Sequence, residues 1–119
     1  MANKYRASDG SSYTQGAIDG RRSKAYREKG LDNPRPVCAA CMAAPATDND
    51  HTISQKRCKE LSITELIWSD FNFEDSCRKC HNEWESYKSG EFKNHKNYEH
   101  RMSVLLEYDA EGYNKRLNY

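Results

Sequence analysis

The amino-acid sequence predicts a small α+β domain with flanking helices. The chain has 119 residues, the length of one domain, but only 36% of them are hydrophobic and the mean hydropathy is −1.10. Such a chain has little material for a self-sufficient hydrophobic core. Two Cys-x-x-Cys pairs offer another means of stabilisation, and short strand-like and helix-like segments lie between and after them.

The two Cys-x-x-Cys pairs predict a structural zinc site. Four thiolates at this spacing can close a tetrahedron around one ion, and they belong to Cys38, Cys41, Cys77 and Cys80. Two short disulfides or a redox pair are the alternatives. A redox motif needs only one pair beside a βαβ pattern, and five cysteines are an odd number for a secreted disulfide framework. Cys58 is assigned no metal role, because four ligands complete a structural zinc site.

Residues 1–30 are predicted to form a flexible basic arm. The first 16 residues are polar and rich in Gly and Ser, which is typical of a disordered segment. Residues 17–29 could form a short basic helix that ends at Gly30, with Pro34 and Pro36 beyond it.

The charge of the chain is unevenly distributed. The formal net charge is only +1, but residues 1–36 carry eight basic and four acidic side chains, whereas residues 37–76 carry three basic and seven acidic ones. Attraction to nucleic acid must therefore come from a local basic surface. The side chains suited to phosphate contacts are Arg21, Arg22, Lys24 and Arg27. A solvated basic tail is the alternative for each of them.

Short elements are predicted in the middle of the chain. Residues 50–53 alternate in a way that favours a first strand. Residues 62–65 have the pattern of a capping box that opens a short helix, whose apolar residues share one face. Residues 71–73 place two aromatic side chains on one side of an extended segment, which favours a second strand.

The C-terminal part is predicted to be helical. One helix is expected over residues 77–88 and a second over residues 92–108, followed by a short aromatic segment. Residues 91–119 should pack on the preceding domain through the apolar stripe of the second helix. His95 and His100 are expected at the surface.

A set of polar residues between and beside the cysteine pairs resembles a known family. In chain order these residues are Asp50, His51, Asn72 and His81. Their order and spacing resemble the HNH (His-Asn-His) endonucleases of the ββα-metal class, and within it the four-cysteine zinc branch that includes phage recombination endonuclease VII. The resemblance covers residues 37–88 and implies a treble-clef-like ββα-metal domain over residues 31–90.

The resemblance implies metal-dependent hydrolysis of DNA phosphodiester bonds. His51 would be the general base, and Asn72 would hold the surrounding geometry by hydrogen bonds. Asp50 and His81 would hold one divalent ion at the phosphate and the leaving oxygen. Glu85 lies four residues after His81 and is a candidate third ligand, with an exposed helix residue paired to lysine as the alternative. This donor set favours Mg²⁺ or Mn²⁺.

The family resemblance also implies a context for the protein. DNA would be the partner, and a phage-encoded enzyme of this kind would act in the cytoplasm of its bacterial host. No apolar run is long enough to span a membrane and no N-terminal secretion signal is visible, so a cytosolic protein with reduced thiols is expected. The sequence leaves the oligomeric state open, a dimer included. The alternative function is a non-catalytic treble-clef zinc module that binds nucleic acid or protein.

Overall fold

The computed structural model describes residues 3–29 and 37–119, which form two small antiparallel sheets and five α-helices. The strands are β1 (Lys4–Arg6), β2 (Ser12–Thr14), β3 (Asp48–His51) and β4 (Phe73–Ser76). The α-helices are α1 (Gln15–Lys29), α2 (Gln55–Glu60), α3 (Arg78–Ser86), α4 (Tyr98–Tyr108) and α5 (Ala110–Leu117). Short 3-10 helices span Thr64–Trp68, Asp70–Asn72 and Glu91–Asn94. The predicted α+β class is confirmed.

Strands β3 and β4 form the hairpin that carries the predicted site. Their register pairs Asp50 with Glu74 and His51 with Phe73. Both strands are displaced from the segments predicted for them, residues 50–53 and 71–73. The second strand begins later because Asn72 still belongs to a 3-10 helix with its side chain buried, so the chain becomes extended only at Phe73.

Helix α2 was not predicted from the sequence. It begins after Ser54, whose hydroxyl oxygen accepts a hydrogen bond of 3.1 Å from the backbone N–H of Arg57. The chain then turns at Ser62, which has a positive φ of 58°. The predicted capping box at residues 62–65 is wrong, since the following 3-10 helix begins after Ile63 without a side-chain cap.

Residues 3–29 pack on the domain, where the sequence analysis expects a flexible arm. Strands β1 and β2 pair as a hairpin, and the Thr64 hydroxyl donates a 2.7 Å hydrogen bond to the carbonyl of Arg6. Helix α1 spans the predicted helix and buries Ile18 completely. The composition of this segment does not predict the packing, because α1 is polar apart from a few residues and Ile18 is its one fully buried side chain. The predicted stop signals Gly30, Pro34 and Pro36 lie outside the described residues.

The C-terminal segment forms two helices, α4 and α5, after a separate 3-10 helix. The carboxylate of Asp109 separates them, because it accepts a 3.1 Å hydrogen bond from the backbone N–H of Gly112 and so caps α5. The segment packs around Trp84 of α3, which is 1% exposed and whose ring N–H donates a 3.0 Å hydrogen bond to the carbonyl of Thr52. Across the described ranges, no helix has the length and apolar character to cross a membrane.

The two C-terminal histidines differ in burial. His100 is exposed, as expected. His95 was expected at the surface, and this prediction is wrong: the residue is only 8% exposed. Its Nε2 lies 2.9 Å from a carboxylate oxygen of Glu83, and this hydrogen bond satisfies one ring nitrogen inside the protein.

The packing of helix α1 generates a stability prediction. Ile18→Ala should lower the free energy of unfolding by about 2 to 5 kcal/mol, because it removes a fully buried side chain and leaves a cavity. Urea unfolding of this variant and of wild type measures the effect. Ser23→Ala, at an exposed position of the same helix, is the control and should change stability little. Equal stability of the two variants would mean that α1 does not pack on the domain.

Candidate metal and catalytic site

The four cysteines of the two pairs converge beside the β3–β4 hairpin. The sulfur atoms of Cys38, Cys41, Cys77 and Cys80 all lie within 4.8 Å of one another, and every cysteine is free of disulfide bonds. A tetrahedral zinc ion at about 2.3 Å from each sulfur requires the sulfurs to be about 3.8 Å apart. The four thiols therefore fit a structural zinc ion.

The cysteines of the cluster differ in protonation: burial raises the pKa of the Cys80 thiol, whereas that of Cys41 is lowered. Backbone N–H groups of Ala44 and Ala43 lower the pKa of Cys41 to about 6, which favours the thiolate that zinc binds. The fifth cysteine lies outside the cluster. Burial raises the pKa of Cys58 to about 12, and its thiol faces the carbonyl oxygen of Ile53 at 3.5 Å. Cys58 is therefore a protonated core residue.

A second group of side chains that could bind a metal lies next to the four-cysteine cluster. Ligand atoms of Cys80, Glu83 and His95 also lie within 4.8 Å of one another, and Nδ1 of His95 is buried without a hydrogen-bond partner. The group shares Cys80 with the four-cysteine cluster. His95 is thus part of the surroundings of the cluster, which its position outside the predicted motif did not reveal.

Asn72 fixes the backbone that follows His51. Its side chain is fully buried, and its Oδ1 accepts a 2.8 Å hydrogen bond from the N–H of Ile53. Its Nδ2 donates to the carbonyls of Ile53 at 3.1 Å and of Leu66 at 3.0 Å. One amide thereby joins the end of the hairpin to the 3-10 segment Thr64–Trp68, which an uncharged group with donors and an acceptor is suited to do.

The orientation of His51 determines its tautomer. Its Nε2 lies 2.9 Å from the carbonyl oxygen of Ile67. A carbonyl only accepts hydrogen bonds, so Nε2 carries the proton and Nδ1 keeps a lone pair in the neutral ring. Burial lowers the pKa of His51 and outweighs the opposite effects of Ile67 and Asp50. A neutral imidazole with an acceptor nitrogen is competent as a general base.

His81 lies between two carboxylates. Its Nδ1 is 2.9 Å from Oδ1 of Asp50, and its Nε2 is 3.6 Å from Oε2 of Glu85. The hydrogen bond with Asp50 is the main reason that the pKa of His81 is raised. The Asp50 side chain is 1% exposed and that of Glu85 is 59% exposed, so the His81–Glu85 edge opens to solvent.

Arg101 of α4 is a site residue that the sequence analysis missed. Its side chain is fully buried, and its Nη2 donates a 2.6 Å hydrogen bond to Oδ2 of Asp50. Burial alone raises the pKa of Asp50, but His81 and Arg101 together lower it, so the carboxylate is ionised. Arg101 lies outside the segment of family resemblance, and its only sequence signal is a cation inside the apolar stripe of a helix.

The predicted catalytic ligands do not all converge on one point. Within residues 3–29 and 37–119, ligand atoms of three or more residues lie mutually within 4.8 Å only in the two cysteine-containing groups. Asp50 has one oxygen on His81 and the other on Arg101. His51 and Glu85, in contrast, line one cleft of about 520 Å³. The structure therefore brings Asp50 to His81, His81 to Glu85, and Glu85 to the cleft of His51.

The predicted nucleic-acid contacts on α1 have different environments. The guanidinium of Arg21 lies 4.9 Å from the ring centroid of Tyr13 in β2 and 5.3 Å from that of Trp68 in the domain. Arg22 donates a 2.6 Å hydrogen bond to the side chain of Gln55 in α2. Lys24, whose side chain is 71% exposed, and Arg27 face solvent. Two of the four residues therefore help to attach α1 to the domain.

Comparisons of the chain with protein-family models, with curated proteins and with solved structures found no match. The chain is a small α+β protein with a four-cysteine cluster that could hold zinc.

The four-cysteine cluster predicts one zinc ion per chain. Cys38→Ala or Cys80→Ala should lose the ion and most of the fold, because structural zinc contributes on the order of 10 kcal/mol of apparent binding energy to folding. Atomic emission of the purified proteins measures zinc, and circular dichroism measures folding. Cys58→Ala is the matched control and should keep the ion. Zinc well below one ion per chain in the folded wild type would contradict the assignment.

The Asp50–Arg101 pair predicts strong coupling between the hairpin and α4. Arg101→Met should destabilise the protein by about 3 to 5 kcal/mol, because it leaves the buried carboxylate without its cation. Adding Asp50→Asn should recover part of this loss. Urea unfolding of both single variants and the double variant gives the coupling energy. Additive effects of the two substitutions would show that the pair does not join these elements.

Proposed function

We propose that the protein is a metal-dependent endonuclease that hydrolyses DNA phosphodiester bonds. The observation that carries the proposal is the cleft shared by His51 and Glu85. The cleft brings together the imidazole of His51, whose Nδ1 is a hydrogen-bond acceptor, and the carboxylate of Glu85, which lies beside His81. In this proposal β3, β4, α3 and the cysteine cluster form a ββα-metal unit of the HNH kind.

The donor geometry fits a divalent ion at His81 and Glu85. Nε2 of His81 and Oε2 of Glu85 are 3.6 Å apart. Two ligands at about 2.1 Å from the same ion can be separated by up to about 4.2 Å, so both atoms can reach one Mg²⁺ or Mn²⁺. A divalent ion bound there would neutralise charge on the phosphate and on the departing 3′ oxygen.

The residues of the chain divide the remaining work. His51 takes a proton at Nδ1 from the attacking water, while the carbonyl of Ile67 holds the ring through Nε2. Asn72 fixes the loop on which this geometry depends. Asp50, expected from the resemblance to be a ligand, has both oxygens engaged by His81 and Arg101. In this proposal it instead orients His81 through Nδ1 and leaves Nε2 for the ion, which is the usual arrangement behind a metal-binding histidine. Arg101 keeps Asp50 ionised for that task.

A non-catalytic zinc module is the second candidate function. The observation that favours it is the saturation of Asp50, whose two oxygens are hydrogen-bonded to His81 and Arg101 as in a structural network. Cleavage of supercoiled plasmid by zinc-loaded protein, with and without added Mg²⁺ or Mn²⁺, separates the two functions. The module would not cleave under either condition.

The endonuclease proposal predicts different defects for two histidines. His51→Ala should lower the cleavage rate by about 10² to 10⁴-fold while Mn²⁺ affinity is kept, because it removes a proton acceptor and no ligand. His81→Ala should weaken Mn²⁺ binding, and part of its lost activity should return at high Mn²⁺. Plasmid cleavage and calorimetric titration of Mn²⁺ into the zinc-loaded variants measure both effects. At saturating Mn²⁺, the wild-type rate should stay constant as the pH is lowered until it reaches the pKa of His51, which is below its ordinary value. At still lower pH the rate should fall, because the base is then protonated.

The control for both variants is His100→Ala, which changes an exposed histidine of α4 and should leave rate and Mn²⁺ affinity unchanged. Equal Mn²⁺ affinity of wild type and His81→Ala would remove His81 as a ligand. Undiminished cleavage by His51→Ala would point to a contaminating nuclease and against the proposed base.

A further inference from the structure

The cleft beside His51 extends well beyond the predicted catalytic residues. Helix α2 lines one part of it, helix α5 lines another, and Trp84 and Leu105 contribute to its lining. Helix α5 lies outside the segment of family resemblance, and α2 was not predicted at all. The surface of this cleft is therefore particular to the way this chain folds.

The lining of the cleft has a small excess of basic side chains. Four basic and three acidic side chains line it, and the basic ones are Lys56, Arg57, Lys115 and Arg116. One acidic group, Asp109, is neutralised within the fold, because its oxygens accept hydrogen bonds of 3.2 and 3.0 Å from Arg57. A second, Glu85, lies at the edge of His81. Glu60 is the remaining carboxylate. Because the Arg57–Asp109 pair cancels, three basic side chains face two carboxylates in the lining, a net excess of one positive charge.

Arg116 lines the cleft and has no carboxylate partner in an ion pair among the described residues. Its guanidinium lies 4.2 Å from the ring centroid of Trp84 and 4.7 Å from that of Tyr87, and it donates a 3.0 Å hydrogen bond to the carbonyl of Trp84. Its Nε is buried without a hydrogen-bond partner. Among the residues that the structure describes, no carboxylate forms an ion pair with Arg116, so an anion in the cleft would meet an unneutralised guanidinium.

The two lysines at the walls are available to an incoming anion. Lys56 is exposed, and no ion-pair partner for it exists in the described part of the chain. Lys115 is 57% exposed and pairs with Glu111 at 3.1 Å. An exposed pair of this kind contributes little to stability, so a phosphate can compete for the lysine.

We propose that this cleft binds the phosphate backbone of a nucleic acid and leads it to His51. Lys56 of α2 and Lys115 of α5 contact phosphates, and Arg116 supplies further positive charge to the cleft. This inference rests on the proposed function, since it assigns the surface on which the substrate lies. It places the main electrostatic contacts on α2 and α5, in addition to any contacts made by α1.

Matched lysine variants test the proposal. Lys56→Ala/Lys115→Ala removes two charges from the cleft, and Lys93→Ala/Lys96→Ala removes two exposed lysines that do not line it. Fluorescence anisotropy of a labelled DNA duplex measures binding by zinc-loaded protein without added Mg²⁺ or Mn²⁺, over a series of salt concentrations. The cleft variant should lose at least about tenfold in affinity at low salt, and its slope of log K against log salt should flatten by about 2. The control should change much less.

The outcomes separate this inference from the proposed function. If wild type binds and cleaves DNA while the cleft variant keeps the wild-type affinity and salt slope, the cleft inference is overturned and the endonuclease proposal stands. If the cleft variant loses binding as expected but wild type never cleaves with Mg²⁺ or Mn²⁺, the cleft is a nucleic-acid site and the endonuclease proposal fails. Absence of DNA binding by wild type overturns the cleft inference.

Discussion

The buried ion pair between Asp50 and Arg101 connects the parts of this structure. Asp50 lies in β3 and Arg101 in α4, and their side chains are 1% and 0% exposed. A carboxylate taken out of water needs a charge partner and hydrogen bonds, and here Arg101 and His81 provide them. The hairpin, α3 and α4 are consequently held by one polar network. A chain with few hydrophobic residues can join its elements in this way where a larger apolar core would otherwise do so.

Other polar anchors follow the same principle. The amide of Asn72 joins the loop after β3 to the 3-10 segment, and Arg57 of α2 joins the carboxylate of Asp109 at the start of α5. Each anchor is buried or half-buried and has specific partners, so its geometry is more sharply defined than that of an apolar contact. The candidate site is built from the same groups. The positions of its side chains are therefore set by the interactions that stabilise the fold.

The sequence pattern predicted the local features of the chain and missed those that depend on distant contacts. The cysteine cluster was predicted although its two pairs are far apart in the chain, because each Cys-x-x-Cys pair is a recognisable half of a zinc site. Asn72 was expected to make hydrogen bonds across the hairpin, and it does so through its backbone partners. The sequence did not predict that the N-terminal segment forms an ordered hairpin. This hairpin depends on contacts such as that between Thr64 and Arg6, which are 58 residues apart. Arg101 was missed for the same reason, as its partner is 51 residues away.

The two histidines of the motif show how the fold can give one residue type two kinds of chemistry. His51 is half-buried and bonded to a carbonyl, and its pKa is lowered; His81 faces the carboxylate of Asp50, and its pKa is raised. Environments that push the pKa values of like groups apart allow one residue type to take distinct roles in the same site. The proposed roles follow this separation: His51, with its lowered pKa and acceptor Nδ1, would take the proton, and His81, oriented by Asp50, would hold the ion.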